Sequence, residues 1–468
     1  MSIGNLLDVA SRAMSVYQDA ISVTGQNITN ANNTDYSRQN VILASDVTAG
    51  GQGDGVKIAD IQRVRNTLID TQVQNYTSVL SDATKKSDTL QQIESVLDEP
   101  STDGLSTYFT NFFNSFSQLT ATPNSTSLRL AVTQQAQQLS DRFKQVFDGI
   151  STVQSSLQTD ANTDVSSINS YLKDICQYNK EIYAATIQGT NTNQLKDERD
   201  AEITKLSGLV NITVQQGQNG VSVVGVAGLQ GADQQGYNTL QLTNVNGQMR
   251  IVSQNNPSNY AIVNSGEMNA IIDLNNNEIP SYLSNLNTLA NAFVDQVNAA
   301  HVSGNTLIQG STSTSSTGIP FFGGTDVSGD PISAYQNGQI NINPDILNNP
   351  DDIAASSAAN SDGNGDVANQ IAQLGNSQIT ALNGQTFLDY YNTMLNNEGT
   401  TKVTADNTVQ SSTTILQQLQ NQQSSVSGVS MDQEMTNVLT FQRSYEASAK
   451  LVSIANDMLT TIINMVTT

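Results

Sequence analysis

The sequence predicts a mainly α-helical protein: paired N- and C-terminal helices form a coiled coil, a helical bundle makes the middle domain, and β-rich segments are inserted on the outside. Three observations predict it. Apolar residues recur at alternating four- and three-residue spacings at both ends of the chain. Helical spacing returns through residues 63–206, and the stretches 207–275 and 305–368 break it with short β-favouring or loop-forming runs.

The first element is marked by Ile3, Leu7, Ala10, Met14, Tyr17, Ile21, Thr24 and Ile28, an apolar seam along one helix. Met431, Met435, Val438, Gln442, Tyr445, Ala449, Val452, Asn456, Leu459, Ile463 and Val466 repeat the spacing at the other end. At about 1.5 Å per residue these rods extend roughly 40 and 50 Å. Burying an aliphatic side chain contributes roughly 1.5–3 kcal/mol, so neither rod should stand alone in water. Docking of each helix on a globular core is the alternative. The matching seams favour the coiled coil, as does a C-terminal stripe running almost to Thr468, where most domains fray. Such rods are expected to order only when neighbours cover them.

Residues 36–62 read as a hairpin or extended loop, with Val41-Ile-Leu43, the turn-rich run Gly50-Gly-Gln-Gly-Asp-Gly55, and alternating Val56, Ile58 and Ile61. In the helical segment that follows, Leu105, Tyr108, Phe109, Phe112, Phe113 and Phe116 share one helix face, and core packing is their expected role. Pro123 interrupts, and helices resume through Leu128, Val132, Leu139, Phe143 and Val146, then Ile168, Leu172, Ile175 and Ile182. Val210-Asn-Ile-Thr-Val and Val221-Ser-Val-Val-Gly-Val open the first β insertion. Helical spacing returns at Ile279, Leu283, Leu286, Leu289, Phe293 and Val297, and a loop-rich stretch holds Ser311–Ser316, Phe321-Phe-Gly-Gly and Gln339-Ile-Asn-Ile-Asn. The predicted domains are therefore 1–62 with 425–468 (terminal coiled coil with a hairpin), 63–206 with 276–304 and 369–424 (helical middle domain), and 207–275 with 305–368 (β-rich insertions).

Composition narrows the function. The 468 residues carry 19 Lys plus Arg against 42 Asp plus Glu, a formal charge of −23, which argues against nucleic acid and anionic lipid as partners. Charged residues make up only 13%, and Asn, Gln, Ser and Thr fill the surface in their place. No apolar run is long enough to insert in a membrane, and Met1-Ser-Ile-Gly-Asn-Leu-Leu-Asp8 has no basic n-region or apolar h-region of a cleavable signal.

No catalytic, metal or cofactor site emerges. The sole histidine, His301, has no partner for a zinc motif and is expected to cap a helix end. Cys176, beside Ile175 and Leu172, reads as a buried structural thiol. Asp362-Gly-Asn-Gly-Asp366 begins like a calcium loop, but Val367 and Gln373 stand where Gly and Glu are required, so it reads as a polar turn. Asn193-Gln-Leu-Lys-Asp-Glu-Arg-Asp200 reads as a helix face with local ion pairs, with Asp197 and Glu198 left open as an acid and base.

After the first rod the chain reads Asn27-Ile-Thr-Asn-Ala-Asn-Asn-Thr-Asp-Tyr-Ser-Arg-Gln39. This resembles the motif that rod, hook and hook-associated proteins of the bacterial flagellum carry after their N-terminal helix, usually Asn-Ile-Ala-Asn-Ala-Asn-Thr-Pro-Gly-Tyr-Ser-Arg-Gln. The Tyr-Ser-Arg-Gln ending resembles the hook-associated protein 1 family. Thr34 and Asp35 stand where that family has Pro and Gly, and Asp35 can supply the turn by tolerating positive φ. Pro123–Arg129, Asn193–Asp200, Ser425–Glu434 and Phe441–Lys450 resemble the same family in order and spacing.

The resemblance implies a non-enzymatic, secreted, extracellular subunit at the hook-filament junction, with its terminal helices in an inner tube. It implies type III export and four partners: further copies in a ring or helical layer, the hook protein, the second hook-filament junction protein, and a cytoplasmic export chaperone on the C-terminal helix. No cofactor is implied. Another axial flagellar protein and a flagellum-associated wall hydrolase are the rival readings. The candidate assembly interface is Ile3, Leu7, Met14, Tyr17, Ile21, Ile28, Asn30, Asn32, Tyr36 and Arg38 from the first rod and its motif, with Met435, Val438, Tyr445, Val452, Leu459, Ile463 and Val466 from the last.

Overall fold

The computed structural model describes residues 3–47, 53–308, 315, 317–326 and 328–466. The chain opens with α1 (Ile3–Thr29), followed by β1 (Gln39–Val47) and β2 (Gly53–Arg63). These strands form an antiparallel hairpin in which Gln39 faces Arg63, Val41 faces Ile61 and Ser45 faces Val56. Residues 48–52, with the first half of the glycine-rich run, lie outside the described residues.

Four helices follow: α2 (Thr67–Leu97), α3 (Leu105–Ala121), α4 (Thr126–Ile187) and α5 (Asn193–Leu209). Their starts are set by side chains that take up otherwise unpaired amides. Asn66 Oδ1 accepts from Leu68 N at 3.1 Å, and Ser125 Oγ accepts from Leu128 N at 3.4 Å. With 62 residues, α4 is about 93 Å long and is the spine of the molecule.

Two three-stranded antiparallel sheets come next: β3 (Ile212–Gln216), β4 (Ser222–Val226) and β5 (Leu229–Ala232), then β6 (Leu240–Val245), β7 (Gln248–Ser253) and β8 (Asn256–Tyr260). Two amides on α4 clamp them. Asn179 pairs with both the N–H and the carbonyl of Ser222 (3.0 and 2.8 Å), and Asn169 does the same to Leu240 (2.8 Å each).

The chain returns through α6 (Glu267–Asp273), a π-helical turn (Leu274–Glu278) and α7 (Ile279–Val302). From 305 to 368 the only strands among the described residues are two-residue ladders, β9 (Gly324–Thr325) with β10 (Pro331–Ile332) and β11 (Tyr335–Gln336) with β12 (Gln339–Ile340). This is less strand than the sequence suggested, because Asn and Asp side chains cap local turns there, as when Asp326 Oδ1 accepts from Ser328 N and Asp330 N. Within the serine-rich run, residues 311–314 and 316 lie outside the described residues. Next are α8 (Pro344–Asn348), α9 (Asp366–Leu374), α10 (Phe387–Ser427) and α11 (Met431–Val466).

The core is continuous through the helical body and both β stretches. Its centre is aromatic. Phe109, Phe112 and Phe116 of α3 meet Phe293 of α7, Phe387 of α10 and the Phe321-Phe322 pair, with Phe112 and Phe293 edge to face at 5.1 Å. Cys176 is buried among these packed residues of α4.

His301 does not cap a helix. It is fully buried, its Nδ1 lies 2.5 Å from Ile319 O, and Ala354 N donates to its Nε2 at 2.9 Å. Burial lowers its pKa to about 4, so the ring is neutral and ties together two ends of the 305–368 stretch. The buried guanidinium of Arg129 does similar work, donating to Pro123 O at 2.7 Å, to Asp351 O at 3.3 Å and to Ile353 O.

Candidate assembly interface

Helices α1 and α11 pair antiparallel. Asn27 meets Glu434, Tyr17 stacks on Phe441 with ring centres 6.5 Å apart, and Ile3 lies in a groove with Met458 and Ile462. On α1 the closest packing falls on Ala10, Ala20, Val23, Thr24 and Asn27, while Ile3, Leu7, Met14, Tyr17, Ile21 and Ile28 are half-buried at its margins. Small residues let the two backbones approach.

On α11 the observed seam differs from the expected one at alternate positions. Val438, Tyr445, Val452 and Leu459 face α1, but the alternate positions are Glu434, Phe441, Ser448 and Ala455, each one residue before the predicted one. Met435 and Ile463 are instead exposed by 55% and 58%. The side chain of Val466 lies outside the described residues. Hydropathy misplaces the phase because the true seam uses Ala, Ser and a paired carboxylate, whereas the more apolar Met435 and Ile463 flank it.

At the base of the rod a polar node joins it to the helical body. The Asn27 side chain donates to Gln39 O (2.9 Å) and Glu434 Oε2 (3.1 Å) and accepts from Tyr36 Oη (2.7 Å) and Gln39 N (2.9 Å). Arg38 Nε donates to Glu434 Oε1 at 2.8 Å. Ser37 donates through N and Oγ to Asp197 (3.1 and 2.7 Å), and Arg63 bridges Asp197 and Asp200 (2.8 and 3.0 Å). Asn193 Nδ2 donates to Ile61 O at 2.7 Å, and Arg65 Nη1 to Asp200 at 2.6 Å.

Asp197 is therefore not free for acid-base chemistry, and Glu198 accepts a hydrogen bond from Gln194 at 2.9 Å. Local pairs expected in Asn193–Asp200 are present, as between Arg199 and Asp200 at 2.8 Å, but the partners of Asp197 sit more than a hundred residues away and were not legible. Burial, with Asp197 and Glu434 nearby, pushes the Tyr36 hydroxyl up to about 12, which keeps it a donor to Asn27. Burial also pushes the Asp200 carboxyl up, but Arg199, Arg65 and Arg63 outweigh it and hold the group below its ordinary range.

The turn after α1 does not use positive φ at Asp35, which is not among the residues with that geometry. Asn33 builds it: its Oδ1 accepts from Asp35 N at 3.1 Å and its carbonyl from Tyr36 N at 3.2 Å. Asn30 folds back onto Gln26 O at 3.0 Å, and Asn32 is exposed.

One side of α11 has no cover. Leu451, Ile454, Met458, Ile462 and Met465 are all exposed along its distal half, and Met431, Met435 and Leu439 are exposed near its start. Among the described residues no helix is long and apolar enough to cross a membrane, and no three His, Cys, Asp or Glu are grouped to hold a metal.

Residues 90–322 match the family described as flagellar hook-associated protein FlgK helical domain, and residues 420–465 match the flagellar basal body rod FlgEFG protein C-terminal family. The chain is 28% identical to flagellar hook-associated protein 1 of Bacillus subtilis, over 98% of this chain and 97% of that one. Over nearly its whole length the chain is similar to flagellar hook-associated protein 1. The Escherichia coli protein of that name is 22% identical over 99% of this chain and 100% of its own. The hook-associated fold recurs in the flagellar hook junction protein FlgK from Burkholderia pseudomallei, with a TM-score of 0.62 and 16% identity over 76% of this chain and all of that one. The second match spans the last turns of α10 and all but the tip of α11, the half of the rod that carries the uncovered row.

Proposed function

We infer that this chain is a structural subunit of the bacterial flagellum that forms the junction between hook and filament by self-assembly through its terminal helices. The relatives that span its whole length carry the name hook-associated protein 1, and the geometry supplies a means. The observation that carries the mechanism is the row Leu451, Ile454, Met458 and Ile462, still exposed after α1 has covered the other side of α11. Burying each of these contributes roughly 1.5–3 kcal/mol, so copies that pack rod against rod gain what one copy lacks.

On this reading residues 1–62 and 425–468 form the inner-tube domain, 63–206, 276–304 and 369–424 the helical middle domain, and 207–275 and 305–368 the outer segments. The subunit works outside the cell after export and has no enzymatic activity. Its partners are its own copies in a ring or helical layer, the hook protein, the second hook-filament junction protein, and an export chaperone that holds α11 beforehand. Residues Ile3 to Ile28 of the first seam stabilise the rod, the motif from Asn30 to Arg38 fixes its angle, and Met435 and Ile463 join the exposed row as contacts to other copies.

Deletion of Met435 to Thr468 tests this. Cells should still build hooks but fail to hold filaments on them, and normal filament attachment would overturn the reading. A muralytic assay on the pure chain separates it from the wall-hydrolase alternative, with no activity expected.

A further inference from the structure

Helix α11 is unusual in its sulfur. Met249, Met268 and Met394 are buried and Met14 is half-buried, whereas Met431, Met435, Met458 and Met465 are exposed by 47, 55, 48 and 75%. Among the described residues, the four exposed thioethers all lie on this helix. Met458 and Met465 follow Leu451 at seven-residue spacing, so the three share one line along the rod. Met458 also lines an apolar groove of about 360 Å³ with Ile3, Ile454 and Ile462.

A thioether suits such a face because it is apolar, unbranched and adaptable. It is also the apolar side chain most easily made polar. A hydroperoxide transfers one oxygen to the sulfur: the O–O bond breaks, an S–O bond forms, the sulfur loses two electrons, and the peroxide leaves as water or an alcohol. The sulfoxide carries a strong hydrogen-bond acceptor that a packed apolar contact cannot satisfy.

We propose that Met458 and Met465 on the Leu451 line, together with Met431 and Met435 nearer the start of the same helix, are oxidised by peroxide on the unassembled subunit, and that their oxidation to sulfoxides blocks its incorporation. This rests on the assembly reading above. Met458 and Met465 are open only before assembly, since the contacts that bury the row also shield their sulfurs. The buried Met249, Met268 and Met394 belong to the folded body and are protected at all times. Each sulfoxide that must enter a packed contact weakens it roughly tenfold or more.

The test uses the full chain. It is treated with hydrogen peroxide, sulfoxides are mapped by peptide mass spectrometry, and incorporation onto purified hooks is measured by sedimentation before and after repair with a methionine sulfoxide reductase. A variant with M431L, M435L, M458L and M465L keeps the face apolar without sulfur, and circular dichroism checks its fold. The proposal expects sulfoxide first at the four α11 positions, at least about tenfold lower incorporation, recovery after reductase, and no effect of peroxide on the leucine variant. Unchanged incorporation of protein carrying the four sulfoxides would overturn it, as would equal inhibition of the leucine variant. If that variant misfolds, failure of the reductase to restore the parent chain overturns it instead. Untreated protein that never joins hooks would overturn the assembly reading itself.

Discussion

Glu434 ties the two ends of the chain together, and replacing it should loosen the rod without unfolding the body. Its side chain is 2% exposed and bonds Arg38, itself 18% exposed, at 2.8 Å, and Asn27 at 3.1 Å. Removing one member of a buried pair costs about 3–5 kcal/mol when the other charge is stranded. Arg38 keeps some water and Asn27 keeps its bond to Gln39, so Glu434→Ala should cost about 2–3 kcal/mol. Glu434→Gln retains an acceptor and should cost about 1–2 kcal/mol. Lys57, 55% exposed beside Asp46, is the control, and Lys57→Ala should change stability by less than about 1 kcal/mol.

A chain with several packed parts does not unfold in one step, so the readout is the opening free energy of individual amides by hydrogen exchange. Amides near Asn27 on α1 and near Glu434 on α11 should lose protection while those at the middle of α4 keep theirs. A cycle with Arg38→Ala should show the double variant less damaged than the two single losses added together, by about 1–2 kcal/mol. If Glu434→Ala and Lys57→Ala prove equally mild, the node does not hold the rod.

Three further outcomes follow from the geometry. Leu451→Glu with Ile454→Glu should leave helix content and melting of the lone subunit unchanged yet abolish incorporation onto hooks, as read by electron microscopy. In the unassembled chain, amides of α1 and α11 should exchange faster than those of α4, and protection of residues 5–28 equal to that of α4 would contradict the dependence of the rods on neighbours. The third concerns pH. Burial, aided by Glu267, pushes Asp164 up to about 7, and burial with Glu94 does the same to Glu398. Both folded values lie above the unfolded ones near 4, so the fold binds these protons more tightly and stability declines as pH rises from about 4 to 7. His301 acts oppositely: its folded value of about 4 lies below the unfolded 6.5, and its contribution is lost as pH falls through that window. Asp164→Asn with Glu398→Gln should therefore raise Tm at pH 8 and flatten its fall between pH 5 and 8, and parallel Tm curves for parent and variant would refute this.

How far the sequence speaks depends on where a residue's partners lie. The α3 aromatics are legible because their spacing alone puts Phe109, Phe112 and Phe116 on one face, and that face is buried. Val438, Tyr445, Val452 and Leu459 are legible for the same reason. Glu434, Asp197 and Arg63 are not, since a buried carboxylate looks like a solvated one until its partner is found, and Glu434 meets Asn27 across 407 positions. The amide-rich motif Asn27–Gln39 was recognisable by resemblance, but the choice of Asn33 over Asp35 as turn builder depends on backbone geometry that composition does not encode. His301 was misread as a cap, because the Ile319 carbonyl and the Ala354 amide that it bonds come from a loop with no periodic signal.

The antiparallel pairing of residues 3–29 with 431–466 also sets an order of events. A chain that gains structure from its first residues onward can shape its spine before its last helix is available. The leading segment must wait, uncovered, for the trailing one. Contacts spanning nearly the entire chain form late, so the sticky part of the molecule matures only once its last helix is in place.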